Sequence, residues 1–164
     1  MKPLATIAVL GLALATLSPA SASADGQCGQ RILTGSMTAT VTLTAATGSF
    51  TGDGTGFATH LGRFTGSQQG TIAPTGPGHY AGRSTWTIVA ANGDTLTGTG
   101  TLTVEGPPAG EHTTTMVSTI TGGTGRFDDA DGHFTIVYHV TPISSGDGKV
   151  HNRAEGNLTG RISY

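Results

Sequence analysis

Threonine occupies every second position through long stretches of this chain, and that alternation constrains the fold more than any other feature. In 36–44 the odd positions are apolar and the even positions are serine or threonine. Side chains on a β-strand point alternately to opposite faces, so the pattern predicts a strand with one face in a core and a hydroxyl-rich face toward water. The period recurs at 95–104, 112–120 and 133–140. No stretch of 25–164 carries the period of an amphipathic helix.

The composition agrees with an all-β chain. The 164 residues include 27 glycines, only 11% are charged and 5% are aromatic. Glycine and threonine are poor helix formers, whereas threonine is favoured in strands. The length fits one domain with a core of small aliphatic side chains. A net charge of −2 argues against nucleic acid as a partner.

Turn residues divide the chain into about eight strands. Asn92-Gly93 lies between two β-patterned segments, which favours a two-residue type I′ hairpin because both central residues need positive φ. Glycine and proline predict loops at 74–78 and 142–148. Short connections imply antiparallel neighbours. We expect one antiparallel barrel of about eight strands, since the repeated glycines permit strong curvature; a β-sandwich is the alternative.

The first 24 residues have the features of an export signal. Lys2 precedes an apolar segment at 4–17, and Ala22-Ser23-Ala24 is a small-x-small cleavage site. We therefore expect residues 1–24 to be a signal peptide, 25–34 an N-terminal arm and 35–164 the barrel. The protein is then secreted to the extracellular space, with no membrane contact after cleavage. Cys28 is the only cysteine, so no internal disulfide is expected.

The segment 122–132 reads Gly-Gly-Thr-Gly-Arg-Phe-Asp-Asp-Ala-Asp-Gly. It resembles the turn before a late strand of the allene oxide cyclase and dirigent barrels, a calycin-like family. The stretches 58–64 and 159–164 are similar to those of threonine- and glycine-rich secreted bacterial members. The resemblance implies an eight-stranded barrel with a cavity for an apolar or phenolic small molecule, with cyclase or isomerase-like activity in some members. It assigns no catalytic residue here.

This turn has a structural interpretation as well. Closely placed glycines permit backbone conformations that other residues avoid. Phe127 can fold back as an anchor beneath the turn, and Ala130 leaves space where the chain re-enters the sheet. The residues assigned to this structural turn are Gly122, Gly123, Gly125, Phe127, Ala130 and Gly132.

Strand parity also defines a candidate ligand pocket. His112 has the parity of Met116, and Tyr138 has that of Phe134, so these side chains and Trp86 are expected to point inward. Together they would supply a hydrogen-bonding imidazole, a phenol and apolar walls. The alternative is ordinary filling of a small barrel, with His112 at its rim. The residues predicted to face inward are Met37, Val41, Leu43, Trp86, Ile88, Leu96, Leu102, Met116, Ile120, Phe134, Ile136, Tyr138 and Val140.

Two functions follow from this pattern. Binding of a small apolar or phenolic ligand inside the barrel predicts a cavity of roughly 300 Å³ or more with a few convergent polar groups. A non-catalytic extracellular protein that contacts a partner through its threonine faces or loops predicts a filled barrel and an exposed patch. Exposed apolar strips would also allow a homo-oligomer. The spacing of histidine and acidic residues predicts no metal site, and no cofactor is expected.

Overall fold

Eight antiparallel strands close into one barrel in the computed structural model, which describes residues 29–164. Each strand pairs with the next along the chain, and β8 pairs back with β1. The predicted barrel is confirmed and the sandwich is excluded. The predicted signal peptide and Cys28 lie outside the described residues. The strands are β1 Arg31–Thr44, β2 Ser49–Ala58, β3 Gly62–Gly76, β4 His79–Val89, β5 Thr95–Glu105, β6 His112–Gly123, β7 Asp131–Gly146 and β8 Lys149–Ser163.

Three strands extend further than the sequence predicted. β1 begins at Arg31, before the expected start at Gly35, and the fully buried Leu33 anchors this extension opposite β8. β3 and β7 continue into segments expected to be loops. The register shifts at Pro74 and at Pro142, so the ladders continue past residues that cannot donate a backbone hydrogen bond.

The Asn92-Gly93 hairpin is present, but the predicted type I′ turn is wrong. Gly93 has φ +88°, whereas Asn92 does not have a positive φ. The Gly93 amide donates to the Ala90 carbonyl, and the Ala90 amide donates to the Asp94 carbonyl. The loop is therefore a three-residue connection in which a turn is followed by a left-handed glycine. Pairing of Ala90 with Asp94 moves the turn one residue from the position that the dipeptide suggested.

The alternation assigns the two faces of the barrel correctly. Every residue predicted to face inward is buried or, for Met37 and Val41, partly buried against the core. Trp86 is 5% exposed and Tyr138 is 4% exposed, so both have the predicted parity. The intervening threonines form the outer surface. The side chains of Thr97, Thr99 and Thr101, for example, lie between those of β4 and β6 on that surface.

The two ends of the barrel are closed differently. At the lower end, Leu61 and Phe127 are almost completely buried, and the Phe127 ring packs against Tyr164. The upper end carries short turns at 45–48, 77–78 and 147–148 and one longer loop at 106–111. Phe127 belongs to a three-residue 3-10 turn, Gly125–Phe127. Within 29–164 no helix has the length and apolar character needed to cross a membrane.

Candidate functional site: the upper mouth of the barrel

A cavity of about 60 Å³ lies just beneath the upper end of the barrel. Its walls are mainly aliphatic and aromatic, and Pro108 of the 106–111 loop contributes to its lining from above. Four polar side chains, from the three strands β3, β6 and β8, also line it: Gln68, His112, Thr114 and Asn152. The apolar residues of the lining are Val41, Leu43, Phe50, Ile72, Leu102, Val104, Val140 and Ala154, and Tyr138 completes it.

Asn152 is the polar residue most deeply buried at this mouth. It lies on β8 between Val150 and Ala154, opposite Val41 of β1, and is 3% exposed. Its Nδ2 donates to the carbonyl oxygen of Pro108 at 3.4 Å, and its Oδ1 has no hydrogen-bond partner among the described residues. An unpartnered buried acceptor is unfavourable by about 1–3 kcal/mol. Asn152 was not among the residues predicted for the pocket, although an asparagine at an inward position between Val150 and Ala154 was a signal for it.

His112 lies where the 106–111 loop enters β6. Its Nδ1 lies 2.8 Å from the Gly110 carbonyl oxygen, which can only accept, so the imidazole donates through Nδ1. In the neutral ring Nε2 then keeps a lone pair. The side chain is half-buried and lines the mouth cavity, as its parity predicted, whereas the neighbouring Glu111 is exposed. His112 therefore belongs to the mouth rather than to the centre of the barrel.

Tyr138 separates the mouth cavity from the centre of the barrel. It lines the mouth cavity and also a second, lower cavity of about 30 Å³. Its hydroxyl donates to the sulfur of Met37 at 3.2 Å, a weak acceptor. Burial raises the pKa of the Tyr138 phenol well above its usual range. The phenol is therefore neutral at physiological pH and acts as a hydrogen-bond donor, not as a base.

The five residues expected to form one pocket occupy two levels, which corrects that prediction. His112 lines the mouth cavity, whereas Trp86, Met116 and Phe134 line the lower one, and only Tyr138 lines both. Met116 is four residues beyond His112 on β6, which is about 13 Å along a strand. The Trp86 and Phe134 rings pack with their centroids 5.1 Å apart. These three side chains fill the barrel, so the large central cavity that a ligand was expected to need is not found there.

Two further polar atoms in the described core lack partners. They are Nε1 of Trp86 and Oγ of Ser118, and Ser118 is fully buried. A nearby hydroxyl, Ser84 Oγ, has only the Met116 sulfur at 3.8 Å as its hydrogen-bond acceptor. The centre of the barrel thus holds several weakly paired polar groups among apolar side chains. Of the two unpartnered residues only Trp86 lines the lower cavity, whereas Asn152 lines the mouth cavity.

The turn at 122–132 is structural, as its residues suggested. Phe127 is fully buried beneath it and Ala130 is 4% exposed. Gly122, Gly125 and Gly132 have positive φ. The Arg126 guanidinium donates to the His60 carbonyl at 2.6 Å, which ties the turn to the lower end of β2 and β3. Gly123 belongs to β6 and has an ordinary φ, so its contribution is close packing rather than a left-handed backbone.

The outer wall of the barrel is concave in places. A shallow groove of about 770 Å³ crosses the faces of β2 to β6 and is far larger than either internal cavity. Threonine and serine hydroxyls dominate it, with Arg83 and Val117 among the lining residues. Val117 and Val137 lie diagonally across β6 and β7, and each is about half exposed. The barrel therefore presents a hydroxyl-rich face with a small apolar strip.

No family model, curated protein or solved structure matches this chain. The relation to allene oxide cyclase and dirigent barrels consequently stays a prediction from the residues of the 122–132 turn. Within residues 29–164, no three histidine, cysteine, aspartate or glutamate side chains lie close enough to hold a metal ion together.

Proposed function

We propose that the protein is a secreted binding protein that holds a small, mainly apolar molecule at the upper mouth of its barrel. The ligand carries a hydrogen-bond donor, such as the hydroxyl of a phenol or alcohol. The observation that carries the proposal is Asn152 Oδ1, a buried acceptor that has no partner in the described part of the chain and belongs to a residue lining an apolar cavity. A ligand that donates to this oxygen would satisfy it while burying its own apolar surface against the wall.

The size of the cavity limits how such a ligand is held. A volume of about 60 Å³ accommodates a few water molecules but not a six-membered ring. Binding therefore requires the 106–111 loop to move outward, and Pro108 lies directly on the cavity. The rest of the mouth is built on strands and keeps its shape. The proposal is for binding: Tyr138 keeps its proton and forms a wall, and cyclase or isomerase activity is not required.

Native mass spectrometry of the protein secreted by its own host, followed by organic extraction, tests this function directly. A stoichiometric small molecule that carries a hydroxyl or an N–H group supports the proposal and defines the ligand's class. A bound molecule without any donor contradicts the role of Asn152. The same spectrum gives the oligomeric state.

A matched pair of probes tests the hydrogen bond without knowledge of the natural ligand. Phenol and toluene have nearly the same shape, but only phenol carries a donor. Titration followed by NMR should shift resonances of mouth residues, with phenol binding about tenfold more tightly than toluene, the value of one good hydrogen bond. Asn152→Leu should remove that preference, and Asn157→Leu, on the exposed face of the same strand, should leave it intact. Failure of both probes to bind, or a preference that survives Asn152→Leu, refutes the proposal.

The second candidate function is contact with a macromolecular partner or a second copy through the outer face. The exposed pair Val117 and Val137 on a hydroxyl-rich wall favours it, together with a barrel whose centre is filled. Sedimentation velocity of the wild type and of a Val117→Thr, Val137→Thr double variant tests self-association. A larger species that the double variant abolishes supports this function, and a monomer across the accessible concentration range counts against a second copy.

A further inference from the structure

The 106–111 loop differs from the other connections at the upper end of the barrel. The neighbouring turns at 77–78 and 147–148 have two residues each, and they join their strands directly. The 106–111 loop is the longest connection at this end, and it includes Pro107 and Pro108, which have no amide hydrogen to donate. Its tip extends over the mouth, where Pro108 lines the cavity.

The loop is held at its two ends and braced within itself. The Gly106 amide donates to the Gly78 carbonyl at 2.8 Å, and His112 Nδ1 donates to the Gly110 carbonyl at 2.8 Å. Between these points the Gly110 amide donates to the Pro107 carbonyl at 2.8 Å, so 107–110 forms its own turn. A segment with firm ends and an internally braced tip can pivot as one piece.

One hydrogen bond ties this tip across the mouth. Asn152 Nδ2 donates to the Pro108 carbonyl at 3.4 Å, a long bond near the limit of the interaction. The other half of the same amide, Oδ1, is buried without a hydrogen-bond partner among residues 29–164, and the Asn152 side chain lines the cavity. The carboxamide is planar, so a ligand that donates to Oδ1 also fixes the direction in which Nδ2 points.

We infer that the 106–111 loop is a lid over the mouth and that Asn152 is its latch, which couples lid closure to the ligand. The inference rests on the proposed function for the ligand, but the latch acts in the free protein as well. Without a ligand, the long bond to Pro108 holds the lid weakly, and the loop opens often enough to admit a molecule. A bound donor orients the carboxamide, strengthens the bond to Pro108 and closes the lid over the ligand.

Amide hydrogen exchange of the full chain tests the latch without any ligand. Asn152→Leu removes the donor at similar size and should speed exchange across 106–111 several-fold. The turns at 77–78 and 147–148 and the lower end of the barrel should exchange as in the wild type. Asn157→Leu is the matched control and should change none of these segments. Unchanged exchange at 106–111 in Asn152→Leu overturns the latch, whether or not phenol binds.

Phenol and a shortened loop test the coupling. Phenol should slow exchange across 106–111 in the wild type, whereas toluene should slow it much less. A variant in which a two-residue Asn-Gly turn replaces 107–110 retains Asn152 but has no lid, and its NMR line shapes should report phenol dissociation roughly tenfold faster. An unchanged dissociation rate overturns the lid. This variant keeps the inference testable if Asn152→Leu does not fold. If phenol binds neither to the wild type nor to the shortened-loop variant, the proposed function has failed. Amide hydrogen exchange of the ligand-free wild type and Asn152→Leu proteins still decides whether Asn152 is a latch.

Discussion

The ring of Phe127 packs edge to face against the ring of Tyr164, with centroids 4.9 Å apart, at the lower end of the barrel. Phe127 comes from the turn before β7, whereas Tyr164 directly follows β8, so the contact joins the turn to the end of the chain. Aromatic pairs in this arrangement contribute about 0.5–1.5 kcal/mol beyond the area they bury. The lower end of the barrel is therefore closed by tightly packed side chains, in contrast to the mouth.

Removal of the Phe127 ring should disrupt this packing at the lower end. Phe127→Ala is expected to lower the free energy of unfolding by about 3–5 kcal/mol, because it leaves a cavity at a fully buried position. Phe57→Ala is the matched control, since Phe57 is 61% exposed on the outer face. This substitution should lower the free energy of unfolding by about 0.5 kcal/mol or less. Urea denaturation followed by circular dichroism measures both. Equal losses for the two variants would contradict the assignment of Phe127 as the anchor.

Much of the fold could be predicted from the sequence because its signals are local. Period-2 alternation in β1, β5, β6 and β7 fixes which side chains point inward, and this gave the correct parity for Trp86 and Tyr138. Glycine-containing turns between the strands implied antiparallel neighbours. Barrel closure needed one non-local step, the pairing of β8 with β1, which the curvature implied by repeated glycines favoured.

The site was harder to predict, because the parity of a residue indicates on which face of the sheet its side chain lies but not its height along the barrel axis. His112 and Phe134 were both expected to face inward, but the register between β6 and β7 pairs Phe134 with Ser118, six residues beyond His112, and so places them at different levels of the barrel. Asn152 gains its role only because Pro108, 44 residues earlier, folds over it. The Asn92-Gly93 turn shows the same limit: pairing between Ala90 and Asp94 determined its type, and the dipeptide alone did not.

The hydroxyl of Ser118 is buried without a hydrogen-bond partner among the described residues. Ser118→Ala should leave stability unchanged or raise it by about 1 kcal/mol, because the substitution removes a buried oxygen that has no hydrogen bond to any residue of 29–164. Ile120→Ala, at the next inward position of the same strand, should instead lower stability by about 2–5 kcal/mol. Thermal and urea unfolding measure both variants. Destabilisation by Ser118→Ala of more than about 1 kcal/mol would show that the hydroxyl has a partner, such as a buried water.

Tyr138 predicts a dependence of stability on alkaline pH. Burial raises the pKa of its phenol in the folded state, so the unfolded chain releases the proton first as pH rises. The contribution is complete below the pKa of the unfolded residue, about 10, and is lost progressively above it. Wild-type stability should therefore fall above about pH 10, and Tyr138→Phe should fall less steeply. Urea denaturation at several pH values measures the slopes. At pH 7, where the phenol is neutral, the stability difference between Tyr138→Phe and the wild type measures the loss of the hydrogen bond to Met37. If the stabilities of the two proteins fell in parallel with pH, ionisation of Tyr138 would make no contribution.

Gly98 is required by the tryptophan that packs on it. It is an inward position of β5, opposite Trp86 on β4, and a Cβ there would overlap the indole ring and the Thr119 carbonyl of β6. Because the carbonyl belongs to the sheet backbone and the indole is packed against Phe134, neither can easily move aside. Gly98→Ala is therefore expected to destabilise the barrel by about 1–3 kcal/mol through overpacking.

Gly76 is the matched control at the upper end of β3. Its backbone conformation is ordinary and a Cβ there meets no atom within 4 Å, so Gly76→Ala should be neutral or raise stability by about 0.4–1 kcal/mol through the unfolded chain. Near-ultraviolet circular dichroism follows the Trp86 environment, which only Gly98→Ala should disturb. If Gly98→Ala left both the spectrum and the unfolding midpoint unchanged, the indole would not lie against β5, and the division of the barrel into a filled centre and an accessible mouth would be wrong.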